Sequence, residues 1–253
     1  MRQQLSACVI TYNEERNIGN CLKSLTWVDE IVVVDAFSQD KTPQIARQFT
    51  PRVVQNRWPG FVQQKNFALS KATYDWILAL DADEVVSGQL KHSILELLSS
   101  EPPVDGYFIP RRTFYLGRWI NHCGWYPEYR LRLFRKSKAR WGGIDPHDRV
   151  VLTSEKVGYL QGDLYHYPYR NISDHLKKID RYSTLSAQQM AKQDRSSHLQ
   201  DIILRPLLRF TRMYLCQLGF LDGKAGLLIS ALGAFYVFNK YAKLWELTRG
   251  GKS

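Results

Sequence analysis

Apolar residues change their period along the chain, and each change marks an element. Leu5-Ser6-Ala7-Cys8-Val9-Ile10 is an apolar run of strand length, followed by helical spacing at Ile18, Cys21, Leu22 and Leu25. Glu30-Ile31-Val32-Val33-Val34-Asp35 is a second run. A helix over 43–49 follows, with Thr42 as its expected cap and Pro43 in its first turn. Val53-Val54 is a short third strand, and a helix over 62–70 leads into Trp76-Ile77-Leu78-Ala79-Leu80-Asp81. Runs that are apolar on both faces belong to a parallel sheet covered on both sides. The β-α alternation implies right-handed crossovers.

The pattern differs in the second half. An amphipathic helix over 89–98, with Ser87 as cap, precedes a strand at Gly106-Tyr107-Phe108-Ile109-Pro110. Residues 111–129 are rich in aromatic and basic side chains. Tyr129-Arg130-Leu131-Arg132-Leu133-Phe134-Arg135 then alternates strictly, which predicts a half-buried strand with arginines on its polar face. Trp141-Gly142-Gly143-Ile144-Asp145-Pro146-His147-Asp148 reads as a Gly-rich segment whose backbone can approach a ligand. From Ser173 onward the spacing is helical. Over 202–246, Arg205, Arg209 and Arg212 share one helical face, with leucines elsewhere. Such a helix suits an anionic membrane interface, or a hairpin packed on the rest of the chain.

The candidate chemistry lies where strands end. Ligands of open α/β sheets bind at the carboxyl ends of strands. Asp35 ends one strand, and Asp81 and Asp83 end another, separated by the small Ala82. Paired carboxylates suit Mg2+ or Mn2+, which substrate phosphates usually complete. Read alone, Asp-x-Asp is equally a solvated turn. Neither a dinucleotide fingerprint nor a P-loop occurs. Aromatic and arginine side chains at 111–129 suit sugar stacking and anion binding. The same residue types serve single-stranded nucleic acid, but no matching motif accompanies them.

Composition sharpens this. With 44% hydrophobic and 13% aromatic residues among 253, the chain can bury a core. A net charge of +11 calls for an anionic partner: a phosphorylated substrate, a membrane face or nucleic acid. Four scattered cysteines offer neither metal spacing nor a disulfide framework, as expected in a reducing compartment. The N-terminus has no signal-peptide run, and the apolar stretch 227–238 is shorter than a bilayer span, so a cytoplasmic protein is expected.

Four motifs in order resemble family 2 glycosyltransferases of the GT-A fold. They are Thr11-Tyr12-Asn13-Glu14-Glu15, Val33-Val34-Asp35 through Lys41-Thr42, Lys65-Asn66-Phe67-Ala68-Leu69, and Leu80-Asp81-Ala82-Asp83-Glu84. The resemblance implies an α/β GT-A domain, Rossmann-like with a mostly parallel sheet and flanking helices, over 1–170. Its nucleotide-sugar part would be 1–100 and its acceptor part 101–170, with a helical, membrane-associating region at 171–253. It implies a UDP-sugar site made of Thr11, Asn13, Glu14, Asp35, Lys65, Asp81, Ala82 and Asp83. Asp35 would take the uracil, and Asp81 and Asp83 would hold Mg2+ or Mn2+ with His166. The Leu-Arg-Leu-Phe-Arg strand, the Pro146-His147-Asp148 segment, Gly162-Asp163-Leu164-Tyr165-His166-Tyr167 and Phe220-Leu221-Asp222-Gly223-Lys224-Ala225-Gly226 resemble the branch that builds the inner core of lipopolysaccharide. There the middle motif is Val-His-Glu, so Asp148 stands where the base is expected, on a shorter arm. Asp145 is the other base candidate, and Arg132, Trp125 and His147 are expected near the acceptor. The implied activity is inverting transfer of a hexose, glucose from UDP-glucose, onto a core heptose at the cytoplasmic face of the inner membrane. The expected partners are the UDP-sugar, the core acceptor and an anionic membrane surface, without nucleic acid; the oligomeric state is open. A family 2 enzyme with another acceptor, or a non-catalytic nucleotide-sugar or nucleic-acid binding protein, shares the first-half motifs.

Overall fold

The computed structural model describes residues 2–144, 147–154 and 156–249, with only the backbone of Ile144 and His147. The strands are β1 (Leu5–Thr11), β2 (Glu30–Asp35), β3 (Val53–Gln55), β4 (Trp76–Asp81), β5 (Glu84–Val86), β6 (Gly106–Tyr115), β7 (Arg118–Trp119), β8 (Glu128–Arg135), β9 (Ala139–Ile144), β10 (His147–Leu152), β11 (Gly158–Tyr159) and β12 (Leu164–His166). The helices are α1 (Ile18–Lys23), α2 (Thr42–Ala46), α3 (Phe61–Lys71), α4 (Gly88–Leu98), α5 (Ile172–Ala191), α6 (Leu199–Thr211) and α7 (Gly223–Arg249).

The chain forms two compact units: Met1–Arg112 with Glu128–Tyr167, and Thr113–Pro127 with Pro168–Ser253. The aromatic excursion at Thr113–Pro127 is therefore grouped with the helices.

In the first unit the sheet order is β3-β2-β1-β4-β8-β6-β12-β5. β1 to β4 pair in parallel, as their two-sided apolar runs require. β8 pairs antiparallel with both β4 and β6, and β12 with β5, so the sheet is mixed. Parallel register places Thr11 beside Asp35, and Ile10 beside Asp81. Cores lie on both faces of the sheet, around Leu78, Leu80, Leu90 and Ile94 on one and Val32, Ile77, Phe134 and Trp141 on the other. Ser87 caps α4 by accepting from Leu90 N at 3.2 Å. Thr42 does not cap α2: it is the first helical residue, and its hydroxyl accepts from Glu14 N at 2.8 Å. The Gly-rich segment lies in the antiparallel pair β9 and β10, with Asp148 opposite Gly143. Gly143 has φ +99, a conformation that strains any side chain.

The second unit centres on Tyr115, Ile120, Cys123, Met213, Ala225 and Ile229. Asp222 is buried and accepts from the backbone N–H groups of Asn121 (3.2 Å) and His122 (2.8 Å). Gly226 is required there, since a Cβ would stand 1.8 Å from the Gly219 carbonyl oxygen. The Phe220–Gly226 motif is thus a folding device. The apolar stretch 227–238 belongs to a longer helix, because residues through Arg249 continue it. By length and composition the helical stretch Gly219–Arg249 is able to cross a bilayer, a correction to the span judged from the apolar run alone.

α6 reverses the expected roles of its faces. Arg205 lies 5.0 Å from the Tyr241 ring centroid and pairs with Asp201, and Arg209 is drawn toward Gly233 of α7. Burial and the neighbouring Arg212 push the Arg209 guanidinium below its ordinary range. Leu199, Ile203, Leu204, Leu207 and Leu208 point outward, each more than half exposed.

Candidate active site

The loops after β1 and β2 are stitched to each other. Asn13 has φ +54, a left-handed conformation asparagine tolerates. Its N–H donates to Ser38 Oγ at 2.8 Å, and its side-chain oxygen accepts from Gln39 N at 2.8 Å. Glu14 accepts from Asn17 Nδ2 at 2.7 Å. These residues shape the cleft. Asp35, fully buried, accepts from Ser38 N through Oδ2 at 3.0 Å. Its Oδ1 has no hydrogen-bond partner among the described residues, and neither has Thr11 Oγ1 on the adjacent strand. An unpaired buried polar atom costs roughly 1–3 kcal/mol, so two at neighbouring strand ends mark a place made for a polar ligand.

At the end of β4 the charges are paired. Asp81 Oδ1 lies 3.1 Å from Lys65 Nζ, and Oδ2 lies 2.6 Å from Arg132 Nη2. Desolvation opposes the Asp81 charge, but Arg132 and Lys65 overcome it and hold the carboxyl well below the carboxylate range. Glu84, wholly buried, accepts from Asp81 N (3.0 Å), Arg111 Nη1 (3.1 Å) and Arg132 Nη2 (2.8 Å). Arg111 continues to Glu128 at 2.5 Å. Burial works against both guanidinium charges, and their carboxylate partners more than restore them.

Lys65 also donates to Asp148 Oδ2 at 2.8 Å, with its ammonium 4.5 Å from the Trp141 ring centroid. Asn66 fixes that ring's strand by donating to Trp141 O (2.9 Å) and accepting from Trp141 N (3.0 Å). The Lys65-Asn66 pair thus couples α3 to the hairpin that carries Asp148.

Asp83 and His166 adjoin. β12 runs antiparallel to β5 with His166 opposite Glu84, and His166 Nε2 lies 3.5 Å from Asp83 Oδ2. Ala82 packs into the core, so its small side chain lets the chain turn between the two aspartates. Asp81, expected beside them as a ligand, is instead engaged by two cations. No cluster of three or more His, Cys, Asp or Glu suited to a metal occurs among the described residues.

The remaining expected residues are dispersed. Arg132 is buried under Asp81 and Glu84 rather than open to an acceptor. Trp125 lies in the second unit, in edge contact with Tyr115 and tilted against Tyr169. His147 opens β10, and its side chain lies outside the described residues, as does Asp145 entirely. Glu84, Arg111, Glu128 and Trp141 were not singled out in the sequence. The spacing Asp81-x-x-Glu84 and the alternating arginines of β8 were the available signals.

Residues 6–154 match the family model for glycosyl transferase family 2, more than half of the chain. The chain belongs to glycosyl transferase family 2. This family 2 chain is 29% identical to the lipopolysaccharide core biosynthesis glycosyltransferase LpsC of Rhizobium meliloti (strain 1021), over 96% of this chain and 92% of that one. It is 30% identical to an uncharacterized glycosyltransferase of Rickettsia typhi (strain ATCC VR-144 / Wilmington), over 97% and 88% of the respective chains. Among solved structures, the mannosyltransferase PcManGT from Pyrobaculum calidifontis, in complex with GDP-Man and Mn2+, aligns with a TM-score of 0.56 at 16% identity. That alignment covers 97% of this chain and 88% of the other. The shared fold is GT-A, as the sequence motifs imply.

Proposed function

We propose that this family 2 protein is an inverting glycosyltransferase that moves a hexose, glucose from UDP-glucose, onto a heptose of the lipopolysaccharide inner core. The observation that carries the donor reading is the pair of unpartnered buried oxygens, Thr11 Oγ1 and Asp35 Oδ1, side by side at the β1 and β2 ends. A pyrimidine ring offers an N–H for Asp35, and Thr11 Oγ1 serves as donor or acceptor to a base or ribose oxygen. The similarity to LpsC supports a core-oligosaccharide acceptor.

Asp83 and His166 are the residues that would hold Mg2+ or Mn2+. Their carboxylate and imidazole donors fit such an ion, which fills its other positions with water and phosphate oxygens. When bound, the ion would offset the charge growing on the departing UDP. Lys65 is placed to add positive charge to the diphosphate. Asp81, fixed by Arg132, keeps its geometry for the ribose or a coordinated water. In a single displacement the acceptor oxygen bonds to the anomeric carbon as the bond to the diphosphate oxygen breaks. Asp148 takes the hydroxyl proton, and UDP leaves with the electron pair. No covalent intermediate is needed for inversion.

The outward leucine face of α6 supports docking at the cytoplasmic face of the inner membrane, where a lipid-linked acceptor resides. A contiguous apolar face of this kind is unusual on a protein surrounded by water alone.

The test is a donor screen by UDP release with a truncated lipopolysaccharide acceptor. Release with UDP-glucose that depends on the acceptor is expected. Turnover with another acceptor class alone would overturn the acceptor assignment. Asp148→Asn should cut turnover on the order of 100- to 10,000-fold while UDP-glucose still binds, and Asp145→Asn should be much milder. The reverse order would move the base to Asp145.

A further inference from the structure

We propose that Lys65 changes partner when the donor binds, leaving Asp148 for the diphosphate, so that the catalytic base is uncovered only in the donor complex. This rests on the reading that the strand-end cleft takes a nucleoside diphosphate sugar and that Asp148 faces the acceptor.

The argument begins with the capacity of one ammonium group. Lys65 Nζ has three donors. It sits 2.8 Å from Asp148 and 3.1 Å from Asp81, with the Trp141 ring centroid at 4.5 Å. Its surroundings are therefore full, and a phosphate oxygen gains it only by displacing one of them.

The two carboxylates are not equivalent as losers. Asp81 keeps Arg132 at 2.6 Å when Lys65 departs, and its backbone N–H is anchored on Glu84. Asp148 has Lys65 as its one hydrogen-bonded partner among the described residues. Its neighbours also differ in freedom. Arg132 is shared between Asp81 and Glu84 deep in the sheet, whereas Lys65 ends a flexible four-carbon arm. The exchange therefore runs from Asp148 to the donor.

The consequence is an order of events. With Lys65 on it, one Asp148 oxygen is occupied by the ammonium rather than open to an acceptor hydroxyl. With Lys65 drawn to the diphosphate, that oxygen loses its partner and is left to the acceptor hydroxyl. Donor binding prepares the base, and departure of UDP resets it. An acceptor arriving before the donor meets a carboxylate already engaged by Lys65.

The exchange makes a prediction that needs no turnover. If Asp148 competes with the diphosphate for Lys65, removing the Asp148 charge must tighten nucleotide binding, and only while Lys65 is present. Titration calorimetry with UDP and Mg2+ on the full chain should compare wild type, Asp148→Asn, Lys65→Met and the double variant. The expected result is about three- to thirtyfold tighter UDP binding by Asp148→Asn, weaker binding by Lys65→Met, and no gain from Asp148→Asn on the Lys65→Met background. Unchanged or weaker UDP binding by Asp148→Asn overturns the exchange. So does an equal gain in both backgrounds. Should Lys65→Met melt below the assay temperature, Lys65→Gln keeps a donor without the charge and takes its place in the cycle. Failure of the wild-type chain to bind UDP at all overturns the donor reading instead, which separates the two ideas.

Discussion

The two units bury carboxylates by different means. In the sheet unit, Glu84 and Asp81 are held by side-chain cations, Arg111, Arg132 and Lys65. In the helical unit, Asp222 is held by the backbone N–H groups of residues 121 and 122, with the His122 imidazole at 3.3 Å and Arg118 at 3.8 Å. A side-chain cation can be shared with an incoming anion. A backbone amide has nowhere else to go. The first arrangement suits a site whose charges must re-pair around a diphosphate, and the second suits a permanent fold. The apolar surfaces contrast as well: the sheet unit turns its large aliphatics inward, while α6 turns five outward.

The largest expected effect separates ligand chemistry from structure within the sheet unit. Asp83 directly precedes Glu84 of the buried network, and under the proposed reading it holds the ion together with His166. Asp83→Ala should lower turnover on the order of 1,000-fold and abolish the metal dependence of UDP binding, with the melting temperature within about 2 °C of wild type. Undiminished turnover of this variant, or full activity in a chelator, would remove the metal from the site.

Next comes a direct contest between the two carboxylates. Glu84→Ala leaves Arg111 and Arg132 buried with one partner fewer each, and should cost about 3–5 kcal/mol of stability in denaturant unfolding. Asp222→Asn keeps one acceptor oxygen for the amides and should cost less, about 1–3 kcal/mol. Equal losses would erase the distinction between cation-held and amide-held carboxylates.

The α6 face is the third measurement. Changing Ile203, Leu207 and Leu208 together to Gln should move the protein off anionic vesicles while leaving unfolding within about 0.5 kcal/mol per site. Changing Arg205 and Arg209 to Gln should lower the melting temperature while changing vesicle binding much less, because both lean on α7. If the leucine-face variant sediments with vesicles as wild type does, the face belongs to another partner.

Which of these features could be read beforehand follows from the range of the interactions. Strands β1, β2 and β4 were legible because each is an apolar run of strand length, and Asp35 and Asp81 at the ends of β2 and β4 came with them. The pairing of β4 with β8 was not, since Trp76 meets Arg135 across a long separation that no local period records. The same holds for Lys65 and Asp148, 83 positions apart. The pairing of β9 with β10 was hidden by Gly142, Gly143 and Pro146, which interrupt the apolar alternation a strand would show. On α6 the period was right, but period says only that two faces differ. Which face turns inward was decided by Tyr241 and the glycine at 233, both on another helix.

The last contrast concerns a buried group whose partner is neutral. His175, on α5, is buried, with Nδ1 2.9 Å from the Tyr115 hydroxyl and its ring stacked 4.0 Å from Tyr169. Burial lowers its pKa from 6.5 to about 4, with Lys178 adding to the drop and Asp174 opposing it. In the folded chain the imidazole is therefore neutral through most of that interval. The unfolded chain takes up a proton there that the folded chain refuses. Stability from this group is thus complete above pH 6.5, falls as the pH drops from 6.5 toward about 4, and levels off below. One proton sets a slope of at most about 1.4 kcal/mol per pH unit. Urea unfolding of wild type and His175→Gln across that interval reads it directly. The variant loses stability at neutral pH through the broken contact with Tyr115, but its midpoint should be flatter with pH than wild type by this one-proton slope. Parallel curves would mean that His175 is protonated alike in both states, and that the helical unit, unlike the sheet unit, leaves its buried titratable group without influence on the fold.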